Sequence, residues 1–175
     1  MRKIITAAAV VLILIVLPVG AFLYLRSGFE FQKKNFSELQ MLASITYDSL
    51  FLWDPALNAT WLAGDVHLIA YFTPGNRIEL GETLLQMQQQ YEHVGHFQIL
   101  AIANTPDAMP ELATYQVVSA NPNFSSIRSR YPQYFGPELL TLVDMKDEIR
   151  KTYQWKDPEQ MKKLVTHIAL LLPKN

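Results

Sequence analysis

Residues 66–91, VHLIAYFTPGNRIELGETLLQMQQQY, constrain the fold of this chain more than any other stretch. Positions 66–72 are apolar or aromatic except for His67, the composition of a buried strand. Pro74 and Gly75 break that run. Leu80, Leu84, Met87 and Tyr91 then recur at helical spacing and predict a helix over 81–91. A second apolar run, FQILAIA at 97–103, is suited to burial on both faces, as parallel strands are. Two such strands joined by a helix make a right-handed βαβ unit. In these units the loop at the carboxyl end of the strand is the usual place for chemistry. The first candidate site is therefore the loop holding Thr73, Pro74, Gly75, Asn76, Arg77 and Glu79.

Around that unit the pattern places shorter elements. A strand over 45–53, a turn at Asp54-Pro55 and a return over 58–62 form an expected hairpin ahead of the core. After the second core strand come a short helix or loop over 107–115, a strand over 117–120, and a helix over 124–131 that Pro132 should end. Strands over 139–143 and 148–153 flank a turn at Lys146-Asp147. Asp157-Pro158-Glu159 combines an N-cap, a proline at the first helical position and an acid near the positive helix end. Met161, Leu164, Val165, Ile168 and Leu171 supply the apolar stripe of that last helix, and Pro173 stops it. A βαβ unit followed by a β-hairpin and a helix is the thioredoxin-like arrangement, so the expected class is α/β. Gly136-Pro137, just before a strand, stands where such folds often carry a cis proline.

The amino end has a different character. After Met1-Arg2-Lys3, residues 4–25 carry no charge and are mostly apolar, about the length a helix needs to cross a bilayer. Pro18 and Gly20 are tolerated in such helices. A cleavable signal peptide is the rival reading, with Val19-Gly20-Ala21 as its cleavage site. The apolar run continues past that point to Leu25, which favours an uncleaved anchor. The expected organisation is an anchor over 1–26, a juxtamembrane linker over 27–43 and a globular domain over 44–175. Phe29, Phe31 and Phe36 in the linker suit a membrane interface or a spacer packed on the domain. A short basic start before a first span usually stays inside, so the domain is expected on the periplasmic side of the inner membrane.

Two counts exclude whole classes of function. The chain has no cysteine, hence no disulfide, thiol nucleophile, cysteine metal site or lipoprotein anchor. Its net charge of −1 offers nothing to nucleic acid.

Tyr71-Phe72-Thr73-Pro74-Gly75-Asn76-Arg77-Ile78-Glu79 resembles the motif that ends the first core strand in the Sco/SenC family of copper chaperones, FT-x-C-x-x-x-C-P. On that pattern the cysteines fall on Gly75 and Glu79. Leu142-Val143-Asp144, Ile149-Arg150, Tyr153 and the apolar stripe that follows resemble the family's closing hairpin and helix. The family's histidine ligand would fall near Gly136 and is missing as well. The resemblance runs from about Ser44 to Leu172 and implies a thioredoxin-like frame with a degenerate metal site. It implies a respiratory oxidase or its assembly factors as partners, and no cofactor.

The remaining chemistry is sparse. His93 and His96 are the one close histidine pair, and a zinc or copper site there needs a third ligand that the sequence does not supply. Exposed turn histidines are the plainer account. His67 falls in a core strand and His167 beside the last helix's stripe, both structural positions. Glu79 and Glu82 suit the first turn of a helix. The methionines lie far apart, and Met87 and Met161 fit core stripes. No nucleophile–base pair is visible. The expectation is a membrane-anchored, non-catalytic interaction or assembly module, with a metal-binding protein built on His93 and His96 as the alternative.

Overall fold

The computed structural model describes residues 2–45, 64–103, 105–108, 116–118 and 131–173. These form two compact units, Met1–Glu38 and Leu39–Asn175. The first is one helix, α1 (Arg2–Glu38), with Pro18 inside it. Within α1, Leu14–Glu38 has a mean hydropathy of 1.4 and is long and apolar enough to cross a membrane, a test that a signal sequence also passes. The helix continues without a break past Arg26, through most of the stretch read from sequence as a linker.

The second unit is built on a six-stranded mixed sheet in the order β1-β6-β5-β2-β3-β4. Its strands are β1 (Ala43–Ser44), β2 (Val66–Phe72), β3 (Phe97–Ala103), β4 (Gln116–Val118), β5 (Leu139–Val143) and β6 (Glu148–Gln154). Helix α2 (Arg77–Tyr91) joins β2 to β3, and α3 (Pro158–Leu171) closes the unit. β2, β3 and β4 run parallel, whereas β5 is antiparallel to both β2 and β6. This is the thioredoxin-like α/β topology. β1 is a two-residue edge strand on β6, pairing Ala43 with Ile149. The hairpin expected over 45–62 and the helix over 124–131 lie outside the described residues, apart from Ile45 and Tyr131, which are not in regular structure.

β2 is buried along its whole length, because side chains alternate between two cores. Val66, Leu68, Ala70 and Phe72 join Leu80, Leu84 and Met87 of α2 and Leu164 and Ile168 of α3. Ile69 and Tyr71 point the other way, onto Leu100, Ile102, Phe135 and Val143. Asp157 caps α3 as its sequence suggests, accepting from the backbone N–H groups of Glu159 (2.9 Å) and Gln160 (3.3 Å). Those bonds hold its carboxyl below the usual aspartate range.

Burial acts on His67 as well. The ring is fully buried in β2, and desolvation pulls its pKa from 6.5 down to about 4, against the opposing pull of Asp65. The folded protein therefore keeps this imidazole neutral where the unfolded chain takes up a proton. Above pH 6.5 both states are neutral and the group adds no pH dependence. From pH 6.5 down to 4 the unfolded state binds the extra proton, and stability falls by about 3 kcal/mol before levelling off. Urea midpoints at pH 7 and 4.5 should show this slope in the wild type and lose that share of it in His67→Gln.

Candidate functional site

The candidate loop sits where β2 ends. The structure starts the following helix at Arg77, four residues before the expected Gly81. The Thr73 carbonyl accepts from the N–H groups of Asn76 (3.2 Å) and Arg77 (3.1 Å), and the Asn76 carbonyl accepts from Leu80 N–H at 2.9 Å. That turn nucleates the helix directly after Pro74-Gly75. Arg77, Ile78 and Glu79 therefore lie on its first turn, and only Thr73–Asn76 remains a loop. Gly81 is an interior helical residue that is buried.

Asn76 organises the loop. It stands at the N-cap position, yet its side chain makes no capping hydrogen bond. Its Oδ1 instead accepts from Thr73 N–H at 2.7 Å. Its Nδ2 donates to the carbonyls of Tyr71 (3.0 Å) and Pro137 (2.7 Å). The Pro137 carbonyl also accepts from the Trp155 indole N–H at 3.0 Å. One carboxamide thus ties the end of β2, the helix start and the segment before β5, and Trp155 adds the end of β6. The Gly136–Pro137 bond is trans, since no cis peptide occurs among the described residues. The cis proline expected from sequence is therefore not found at this position.

The flanking side chains are held loosely at the surface. Glu79 pairs with Lys156 at 3.1 Å, and both are well exposed. The Lys156 ammonium lies 4.8 Å from the centre of the Trp155 ring. Arg77 donates to the Asp107 carbonyl at 2.8 Å, linking α2 to the 3₁₀ turn after β3. Ile78 is 69% exposed on that first turn, an unusual place for a β-branched apolar residue. At Gly75 an added Cβ would meet only the Thr73 hydroxyl, at 3.9 Å. The place where the Sco/SenC pattern has its first cysteine therefore has room for a side chain.

His93 and His96 lie away from this loop, in the turn between α2 and β3, and both are exposed. His96 has a positive φ of 63° and its Nδ1 meets Asp65 Oδ1 at 2.9 Å. The other Asp65 oxygen accepts from Gln98 at 2.6 Å. Asp65 is thus the acid that meets His96. Among the described residues no group of three or more His, Asp or Glu side chains is placed to hold a metal ion. His167 is buried, with its Nδ1 at 2.6 Å from the Tyr153 hydroxyl. The sequence did not reveal the part played by Trp155. The signal lay in the β5–β6 register, which pairs Leu139 with Gln154 and so brings the residue after β6 to Pro137.

No protein-family model matches the chain, and no curated protein matches it. Solved structures do resemble it. A candidate protein disulfide isomerase from Bacteroides thetaiotaomicron aligns at 18% identity and a TM-score of 0.49, over 66% of this chain and 78% of that one. BsSco, of the Sco family of cytochrome c oxidase assembly proteins, aligns at 10% identity and a TM-score of 0.46, over 64% and 83%. A SCO1/SenC family lipoprotein from Bacillus anthracis str. Ames aligns at 10% identity and a TM-score of 0.45, over 64% and 84%.

Proposed function

We propose that the chain is a membrane-anchored, non-catalytic module on a Sco-like thioredoxin frame, acting by protein contact in the biogenesis of a respiratory oxidase. One observation carries this reading. The stretch after β2 has a strand–loop–helix geometry and resembles the Sco/SenC motif in spacing, with Gly75 on the loop and Glu79 on the first helical turn at the positions of its thiols, and Asn76 bonded from the loop to Pro137. Without a thiol the loop cannot exchange disulfides or hold copper through sulfur. It presents instead a fixed surface of Pro74, Gly75 and Ile78. α1 serves as the anchor, with the domain on the periplasmic side of the inner membrane.

Affinity purification of the tagged full-length chain from mildly solubilised membranes tests this. The expected result is recovery of an oxidase subunit or assembly protein. Gly75→Arg, for which the loop has room, or Ile78→Asp should lower that recovery about tenfold, the loss of one contact of about 1.4 kcal/mol. Recovery of no respiratory or assembly protein, or recovery that both variants leave unchanged, would overturn the proposal.

A further inference from the structure

We propose that the turn between α2 and β3 holds a divalent transition-metal ion through the imidazoles of His93 and His96, with Asp65 positioning His96 from behind. The chain has four histidines, and the fold treats them unequally. His67 and His167 are sealed in the core at 0% exposure, whereas His93 and His96 are exposed on one turn. These two are therefore the imidazoles open to an ion in solution. Residues three apart have Cα atoms within about 11 Å of each other, a gap that two imidazole side chains can bridge to one ion. The turn lies beside the start of β2, where the His96 carbonyl accepts from Val66 N–H at 2.9 Å. The loop holding Gly75 follows the other end of that strand, about 20 Å away. The site is thus separate from the contact surface proposed above and does not rest on it.

What points to an ion is the way His96 is held. Its φ is 63°, in the left-handed region that glycine enters freely and other residues enter at a cost. Gly95 stands next to it, yet the positive φ falls on the histidine. The ring fixes that conformation. Its Nδ1–H donates to Asp65 Oδ1 at 2.9 Å, and the other Asp65 oxygen accepts from Gln98 at 2.6 Å. The carboxylate side chain is only 21% exposed and each oxygen already has a partner, so it serves as a brace and not as a ligand. In the neutral imidazole, a hydrogen on Nδ1 leaves the lone pair to Nε2, here on a side chain that is 58% exposed. This is the outer-shell arrangement that sets the tautomer and direction of a metal-ligating histidine and raises its basicity. Among the described residues no third His, Asp or Glu is placed to complete the pair, so water takes the remaining positions. Two imidazole nitrogens with water suit copper(II) above zinc(II) or nickel(II).

Copper(II) titration of the full-length protein in detergent micelles tests this, read by calorimetry and by the nitrogen hyperfine splitting of the EPR spectrum. One equivalent should bind with two nitrogen ligands, and zinc(II) should bind the same two residues more weakly. His93→Gln and His96→Gln should each weaken copper binding at least tenfold and leave one nitrogen. Asp65→Asn keeps both ligands but weakens the brace. It should retain the two-nitrogen spectrum and lose about tenfold in affinity, which a residue with a merely structural role would not do. His96→Gly suits the left-handed backbone, so it should stay folded by circular dichroism while losing the site, which separates binding from folding. Absence of stoichiometric binding, a one-nitrogen spectrum in the wild type, binding that the double variant His93→Gln/His96→Gln retains, or full affinity in Asp65→Asn would overturn the proposal.

Discussion

Replacing Asn76 with leucine is expected to cost the fold about 3 kcal/mol and to free the loop after β2. Leucine has the same branching and the same number of side-chain heavy atoms, so the loss reads the carboxamide rather than a cavity. Three hydrogen bonds disappear, to Thr73 N–H and to the carbonyls of Tyr71 and Pro137. Asn76 is 8% exposed, so water replaces few of them, and each stranded buried group costs about 1–3 kcal/mol. Asn76→Asp sharpens the test. It keeps the acceptor for Thr73 but turns the donor into a second acceptor facing two carbonyl oxygens. It should be no more stable than the leucine variant at neutral pH. Urea unfolding followed by tryptophan fluorescence measures both. A loss below about 1 kcal/mol in the two variants would show that the carboxamide does not hold the loop.

A loss of about 3–5 kcal/mol is expected for Asp144→Ala, at the turn joining β5 and β6. The Asp144 carboxylate is nearly buried and fully engaged. Oδ1 accepts from Lys146 N–H (2.9 Å) and Glu148 N–H (3.0 Å), and Oδ2 from Arg150 Nε (2.8 Å) and Nη2 (2.6 Å). The hairpin register shifts between Leu142 and Val143, which pair with Lys151 and Ile149, so that Arg150 is the extra residue of a bulge. Removing the carboxylate leaves Arg150 to Glu148 and the Leu39 carbonyl, and strands two backbone donors. Arg150→Met should cost less by itself. The pair of changes together should cost clearly less than the sum, because both remove the same two Arg150–Asp144 hydrogen bonds. Full additivity in chemical denaturation would show that the ion pair contributes nothing.

How much of this was legible in the sequence depended on the range of the interactions. β2 and β3 were readable because burial on both faces requires uninterrupted apolar runs, and both match the expected bounds. The start of α3 was readable because Asp157, Pro158 and Glu159 act on one helical turn. The start of α2 was misplaced. Arg77-Ile78-Glu79 carries no side-chain capping signal, since Asn76 spends its side chain elsewhere, and Gly81 looked like a boundary when it is an interior residue. The end of β2 was legible from the break at Pro74-Gly75, but the loop stops at Asn76, and Arg77 and Glu79 belong to the helix. The loop's closure was invisible, because Asn76 and Pro137 are 61 positions apart. No local pattern encodes that contact. Asp65 was likewise missed as the neighbour of His96, because 31 residues separate the two.

The doubly bonded carbonyl of Pro137 has a consequence for recognition. A carbonyl oxygen offers two lone pairs, and here the Asn76 carboxamide and the Trp155 indole occupy both. An extended visitor laying its main chain beside this corner finds no vacant acceptor in the Pro137 carbonyl. At that point recognition falls to shape and to what projects from the visitor's backbone.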